Sequence, residues 1–283
     1  MSLGIDGRKR RFDIILGTNE IASAIAVQLA RAGDCVLLSY DPDRPVLRRK
    51  MAFHDALFAG SAQIEEILGE RVDDRIQVLK AARGHSSRRA SVLVSRLGLL
   101  DLLPIAPIDV LIDARLHKRA ISPDLRRLAA LSIGVGPGFS ASSNCDVAIE
   151  TRPGKIGLAD QDSWTEAPDG VASRLGDIGA ERFVYSNIAG RWQTSAAIGT
   201  PIYKGLVIGH LSGVPVAAPL DGTLRGIVRD GTEVPSGVKL LEVDTRGPLA
   251  QWTGIDNRGR AIANATLSAI CRGAERLKLN RLR

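Results

Sequence analysis

The chain has 283 residues, of which 45% are apolar and 4% aromatic, and its 38 Lys and Arg against 31 Asp and Glu give a net charge of +7. At roughly 150 residues per domain, this length predicts two domains. The apolar content supports a buried core, which excludes a disordered chain. The low aromatic count argues against a nucleic-acid partner that stacks on the protein, and no apolar run has the roughly 18–20 residues of a membrane span.

Three widely spaced cysteines, Cys35, Cys145 and Cys271, form no Cys-x-x-Cys pair. The spacing argues against a disulfide framework and a structural zinc site, and no metal site is predicted. We expect a reducing, cytoplasmic location. Residues 1–11 are polar and are predicted to be a basic tail without a signal peptide.

The first predicted unit is strand, turn, helix and strand. Residues 12–16 form an apolar run that ends at Gly17, residues 21–31 have a helical apolar stripe, and residues 35–38 form a second apolar run. This order is typical of a βαβ unit in a parallel sheet.

The loop after the first strand is a degenerate form of the Gly-x-Gly-x-x-Gly fingerprint of dinucleotide-binding folds. Gly17 stands at the first glycine and Asn19 at the second, while Asp41 ends the second strand where a ribose-binding acid is expected. The fingerprint leaves two interpretations open, a nucleotide site and an ordinary βα unit that binds no dinucleotide.

Further charged residues follow the predicted strands. Arg48 and Arg49 come after the second strand, and either hold a phosphate or begin a solvated helix. Residues 108–112 form a clear strand, and its carboxyl end carries polar residues where parallel sheets commonly bind ligands: Asp113, Arg115, His117 and Lys118. His54 and His85 are predicted to be surface residues.

The middle of the chain is less regular. Residues 64–68 are predicted to be helical, residues 75–79 and 91–94 to be strands, and residues 123–131 to be a helix that begins at a proline.

A strand then leads into three glycines at alternate positions, Gly134, Gly136 and Gly138. Such a loop can bring backbone N–H groups close to an anion. Cys145 and Asp146 begin the next strand and are the candidate catalytic pair. Cys145 is either a sulfur nucleophile or a small buried thiol.

The C-terminal half contains a repeat. Residues 183–211 align with residues 215–243 at an offset of 32, with glycines matching at 190 and 222, 199 and 231, and 205 and 237. Short strands with glycine turns predict a small all-β domain with pseudo-twofold symmetry. The pattern resembles the biotinyl/lipoyl hammerhead, or barrel-sandwich hybrid, but its joint at residues 210–215 has no acceptor lysine.

The predicted fold is therefore α/β: a Rossmann-like parallel sheet domain, a small all-β barrel-sandwich hybrid domain and a C-terminal helix. The predicted boundaries are a basic tail at residues 1–11, a nucleotide- or cofactor-binding domain at 12–177, the duplicated domain at 178–247, and a helix with a basic tail at 248–283.

Several segments together resemble the accessory proteins of the selenium-dependent molybdenum hydroxylase system, which are related in role to xanthine dehydrogenase accessory factors. They are residues 45–56, 109–115, 133–139, 145–151, 218–231 and 244–247. The resemblance covers about residues 12–272. It implies a role in maturation of a molybdenum-dependent hydroxylase, with that apo-enzyme as partner and an anionic cofactor, molybdopterin-type or a nucleotide, on the Rossmann-like half.

Two alternatives stay open at this stage, an NAD(P)-dependent oxidoreductase with His117 or Lys118 as general acid, and a non-catalytic docking module. Whether the protein is an enzyme, which cofactor it takes and whether it forms a homo-oligomer are not decided by the sequence.

Overall fold

The computed structural model describes residues 10–84, 91–118, 121–158 and 164–280. The chain forms two compact units, one of Met1–Asp41, Ala52–Pro168 and Ile255–Arg283, the other of Pro42–Met51 and Asp169–Gly254. The C-terminal helix thus belongs to the first unit, and the segment with Arg48 and Arg49 to the second. The ends of the predicted tails, residues 1–9 and 281–283, and His85 lie outside the described residues.

The first unit is built around a nine-stranded sheet. Its strands are β1 (Phe12–Leu16), β2 (Cys35–Ser39), β3 (Ser61–Ile64), β4 (Ile67–Arg71), β5 (Ser91–Ser95), β6 (Val110–Asp113), β7 (Leu131–Val135), β8 (Val147–Glu150) and β9 (Gly157–Leu158). The order is β3-β4-β5-β2-β1-β6-β7-β8-β9. The seven inner strands are parallel, and β3 and β9 are antiparallel edges.

The helices of this unit are α1 (Glu20–Arg31), α2 (Ala56–Ala59), α3 (Arg75–Ala82), α4 (Leu99–Leu102) and α5 (Asn257–Asn280), with a 3₁₀ turn at Phe53–Asp55. A further 3₁₀ turn, Arg49–Met51, belongs to the second unit. Successive residues of β1 point to opposite faces, so Ile15 packs in a core with α1 and α5, and Ile14 packs in a second core on the other face. The sheet is therefore covered on both faces, as a parallel sheet requires.

The sequence-based elements are correct where the apolar pattern is long. The predicted β1, α1, β2, β5 and β6 and the C-terminal helix are confirmed within a few residues. Three short predictions are wrong. Residues 64–68 span the end of β3, the hairpin turn and the start of β4. Residues 75–79 lie in α3, and residues 123–130 form turns and irregular chain before β7, which begins at Leu131.

The second unit contains two antiparallel sheets of four strands. Its strands are β10 (Phe183–Tyr185), β11 (Gly190–Gln193), β12 (Pro201–Ile202), β13 (Val207–Leu211), β14 (Val214–Ala217), β15 (Gly222–Ile227), β16 (Glu233–Val234) and β17 (Lys239–Asp244), with 3₁₀ turns at Ala180–Arg182 and Gly247–Leu249. The sheet orders are β10-β17-β15-β12 and β14-β13-β11-β16.

The two sheet orders are related by the 32-residue offset found in the sequence. Adding 32 to the positions of β10, β11, β12 and β13 gives β14, β15, β16 and β17. The same shift converts the order of one sheet into the order of the other, so each strand and its counterpart lie in different sheets. Gly190 and Gly222 share a φ of 155°. The β13–β17 equivalence pairs Leu211 with Val243, both buried in the core around Trp192.

Of the helices in the described part of the chain, none combines the length and apolar composition that a membrane crossing needs.

Candidate functional site at the carboxyl edge of the sheet

Two loops meet at the carboxyl edge of the first unit's sheet. Asp41 follows β2 and His117 follows β6, and β1 lies between these strands. Nε2 of His117 lies 2.6 Å from Oδ2 of Asp41, with side chains only 13% and 11% exposed. Because an ionised carboxylate only accepts, Nε2 donates, and Nδ1 is the ring nitrogen able to take a proton. Lys118, the next residue, is exposed.

The amino end of α1 is capped by Asn19. Its Oδ1 accepts hydrogen bonds from the backbone N–H groups of Ile21 and Ala22 at 2.9 and 3.0 Å, and its Nδ2 donates to the carbonyl of Ala114 at 2.7 Å. In dinucleotide-binding folds, N–H groups at this position face the pyrophosphate. Here they bind Asn19, so the geometry favours an ordinary βα unit.

Gly17 lets the chain turn sharply before Asn19. Its φ is 108°, and a Cβ at this position would lie 3.3 Å from the carbonyl oxygen of Ala114. The absence of a side chain at Gly17 therefore allows the loops that follow β1 and β6 to lie close together.

A small cavity that opens to solvent lies beside the histidine and is lined by Asp113, Arg115, His117, Ile121, Ser122, Pro123 and Phe139. Nε and Nη2 of Arg115 donate to the Asp113 carboxylate at 3.0 and 2.6 Å. This pair fixes the guanidinium at the cavity wall. The structure thus brings together Asp41, Asp113, Arg115 and His117, as the sequence predicts for one sheet edge.

Two of the three alternating glycines pack against residues that line this cavity. A Cβ on Gly134 would lie 2.0 Å from Cγ of Phe139, and a Cβ on Gly138 would lie 3.0 Å from Oγ of Ser122. Gly136 has a φ of 94° and donates its N–H to a carbonyl of β8 at 2.9 Å. These contacts give the glycines a packing role next to two cavity residues.

Arg48 and Arg49 belong to the second unit, whereas the sequence groups them with the edge of the parallel sheet. Nε of Arg48 donates to Glu242 at 2.7 Å, and Nε of Arg49 donates to the carbonyl of Ile227 at 2.9 Å. Glu242 is fully buried and also accepts from Arg182 at 3.0 Å. Burial alone would raise the pKa of Glu242, but the charge and hydrogen bonds of Arg48, with the other arginines, lower it to about 2.

Cys145 and Asp146 immediately precede β8, so they lie at the amino end of that strand, away from the carboxyl edge that holds His117. Cys145 is fully buried, and burial raises the pKa of its thiol to about 11. Asp146 accepts from the N–H and hydroxyl of Ser132 at 2.7 and 2.6 Å. The sequence leaves two interpretations of Cys145 open, a sulfur nucleophile and a small buried thiol. This geometry supports the small buried thiol.

Two polar residues near the edge are missed by the sequence analysis. His54 is only 5% exposed, contrary to its prediction as a surface residue, because its ring packs between Tyr40 and Phe58. Its Nδ1 lies 2.9 Å from Oγ1 of Thr18. The apolar run around residue 53 is the one signal that could have indicated burial. Ser122 has no sequence signal, since it lies in an irregular loop.

Comparison with known proteins identifies one curated relative and several distant structures. No protein-family model matches the chain. The uncharacterized protein YqeB of Escherichia coli K12 is 28% identical over 260 residues, which cover 91% of this chain and 47% of YqeB. The chain therefore spans about half the length of the curated relative it matches.

Among solved structures, the product-bound ectoine utilization protein EutE (DoeB) of Ruegeria pomeroyi is 16% identical with a TM-score of 0.26. An aspartoacylase family protein of Mesorhizobium loti is 10% identical with a TM-score of 0.24, and a succinylglutamate desuccinylase/aspartoacylase of Rhodobacter sphaeroides is 14% identical with a TM-score of 0.23. Each match covers 83% of this chain and 85% of the other. These scores carry no argument for a shared activity.

The comparisons correct the family resemblance. The similar structures are described as an ectoine utilization protein and aspartoacylase-type proteins, not as molybdenum hydroxylase accessory proteins. The predicted role in hydroxylase maturation and the predicted hydroxylase partner are therefore wrong. The alternatives of an NAD(P)-dependent oxidoreductase and a docking module find no counterpart there either, and Asn19 gives a physical reason against the first.

Proposed function

We propose that the first unit binds a small organic acid at the carboxyl edge of its sheet, beside the cavity that His117 lines, and that His117, oriented by Asp41, takes up a proton from solvent when the carboxylate binds. One observation carries the proposal: His117 lines the cavity while its Nε2 is held 2.6 Å from the Asp41 carboxylate. A histidine whose Nε2 is held by a carboxylate in this way keeps Nδ1 as its proton-accepting nitrogen.

The polar wall of the cavity is rich in hydrogen-bond donors. Arg115 offers a guanidinium and Ser122 a hydroxyl, and an imidazole that has taken up a proton donates from both nitrogens. A carboxylate has two oxygens that accept such bonds, and arginine matches its geometry well.

The residues predicted from sequence have different parts in this proposal. Asp41 and Asp113 orient His117 and Arg115, and Lys118 adds positive charge beside the site. Gly17 and Asn19 position the loop between β1 and α1.

We further propose that the second unit is a barrel-sandwich hybrid of duplicated origin, supported by the shift of 32 residues that relates its two sheets. A reducing, cytoplasmic location stays our proposal as well, supported by the buried free thiols of Cys35 and Cys145.

The test is calorimetric titration of the full chain with a panel of small mono-, di- and hydroxycarboxylic acids. We expect at least one acid to bind, and His117→Ala to weaken that binding at least tenfold. His210→Ala, which changes an exposed histidine of the second unit, is the matched control and should leave the affinity unchanged. Failure of every acid to bind, or equal binding by His117→Ala, would overturn the proposal.

A further inference from the structure

The residue before His117 has a strained backbone. Leu116 has a φ of 59°, which lies in the left-handed region that residues with a Cβ rarely adopt. A glycine would take this conformation without strain. Because a strained residue persists only where its surroundings hold it, the leucine side chain contributes packing that offsets the strain.

The side chain of Leu116 packs where Gly136 has none. A Cβ on Gly136 would lie 2.7 Å from Cδ2 of Leu116, well inside the ~3.5–4.0 Å at which two carbon atoms pack. Gly136 is itself fixed, because its N–H donates to the carbonyl of Ile149 at 2.9 Å. Leu116 also packs against the core that contains α1 and α5. The chain just after β7 therefore holds the leucine side chain in one place.

The turn at Leu116 sets the position of His117. The chain before the turn is fixed, since the N–H of Ala114 donates to the carbonyl of Leu16 at 3.0 Å and the N–H of Arg115 donates to Oδ1 of Asp113 at 3.1 Å. Rotation about the backbone bonds of Leu116 moves everything that follows it. A change of its φ to the ordinary negative range would therefore carry His117 away from the Asp41 carboxylate.

We infer that Leu116 is a positioning residue for His117, because its contact with Gly136 stabilises the left-handed turn that places the His117 ring against Asp41. The inference rests on the proposed function for the role of His117 and adds the residue that orients it.

The experiment is ¹H–¹⁵N NMR of the full chain labelled with ¹⁵N-histidine, at pH 7.5 and without any acid ligand. A ring N–H that is held in a hydrogen bond is protected from exchange with water and gives a resolved signal. His117→Gln identifies this signal among the four histidines. We expect it in the wild type and expect its loss in Leu116→Ala, which removes the contact, and in Gly136→Ala, which displaces the leucine. Leu116→Met has a side chain of similar volume and should retain the signal.

Gly154→Ala is the matched control. Gly154 has a φ of 78°, but a Cβ there would meet no atom within 4 Å, so this variant adds backbone strain without displacing Leu116. It should keep the His117 signal. Persistence of the signal in Leu116→Ala would overturn the inference, and so would its loss in Gly154→Ala. If Leu116→Ala does not fold by circular dichroism, Gly136→Ala and Leu116→Met decide in the same way.

The result is separable from the proposed function because no acid is present. If the signals behave as expected but no acid binds in calorimetry, the proposed function fails and the positioning role stands. If acids bind through His117 while Leu116→Ala keeps the signal, the positioning role alone fails. Absence of the signal from the wild type would contradict the pair of His117 and Asp41 and overturn both.

Discussion

The His117 imidazole donates to the Asp41 carboxylate at 2.6 Å, and this hydrogen bond joins the loops after β6 and β2 across the end of β1. The two residues are 76 positions apart in sequence. Their pairing places a proton-accepting nitrogen at the switch between the two halves of a parallel sheet, which is where doubly wound folds bind ligands.

Replacement of Asp41 tests this pairing directly. Asp41→Asn keeps the shape of the side chain but removes the carboxylate that orients the His117 ring. Since hydrogen bonds to charged groups are worth about 1.5–3 kcal/mol, we expect affinity for the bound acid to fall about tenfold to a hundredfold. Titration calorimetry measures the change, and Asp177→Asn, at an exposed position of the second unit, is the control. Wild-type affinity in Asp41→Asn would show that the pair does not act on the ligand.

The cap of α1 yields a prediction about stability. Asn19→Ala removes the acceptor of two backbone N–H groups, and the loss of such a cap costs about 1 kcal/mol. Asn19→Asp keeps an acceptor oxygen and should remain closer to the wild type. Urea unfolding followed by circular dichroism gives both values, and equal stability of Asn19→Ala and the wild type would refute a structural role for the cap.

The buried arginine cluster around Glu242 predicts acid sensitivity of the second unit. The pKa of Glu242 is lowered from 4.5 to about 2, so the native state binds its proton less readily than the unfolded state. The contribution of Glu242 is therefore complete above about pH 4.5 and is lost as the pH falls towards 2. Glu242→Gln leaves Arg48, Arg182 and Arg225 without this carboxylate, and we expect a cost of about 3–5 kcal/mol at pH 7.

Urea unfolding at several pH values checks this expectation, read by tryptophan fluorescence because Trp192 and Trp252 lie in the second unit. The difference between wild type and Glu242→Gln should narrow below pH 4.5. Glu233→Gln, at an exposed position, should be neutral. A difference that is constant from pH 7 to pH 2.5 would contradict the pKa assignment.

The cysteines should differ in reactivity. Burial raises the thiol pKa values of Cys35 and Cys145 to about 11, whereas Cys271 is exposed. We expect iodoacetamide at pH 7.5 to modify Cys271 first and the other two only on unfolding. Peptide mass spectrometry over time follows each site. Rapid labelling of Cys145 in the native protein would restore it as a candidate nucleophile.

Much of the fold follows from local sequence signals, and their failures have physical causes. The run of β1 and the helical stripe of α1 are long enough to show their period, and the glycines of the repeat identify equivalent turns. Residues 64–68 are too short to distinguish helix from hairpin, and Glu65 makes the hairpin turn at a φ of 51°. Residues 75–79 are likewise too short to distinguish a strand from the helix α3, which begins after the capping residue Asp74.

The sequence predicts individual residues of the candidate site but not the contacts between them. Asp41, Asp113, Arg115 and His117 stand at strand ends, which indicated the correct edge of the sheet. Nothing local shows that Asp41 bonds to His117, that Asn19 occupies the helix amino end, or that Arg48 turns to Glu242 at a separation of 194 residues. Those contacts depend on the tertiary structure.

The most direct test of the organic-acid site is the number of protons taken up on binding. Calorimetric titration with the tightest acid of the panel, in two buffers of different ionisation enthalpy at pH 7.5, gives that number. We predict uptake of a measurable fraction of a proton by the wild type and none by His117→Gln, with His210→Gln behaving as the wild type. Equal uptake by the wild type and His117→Gln would show that His117 is not the group that takes up the proton when the acid binds.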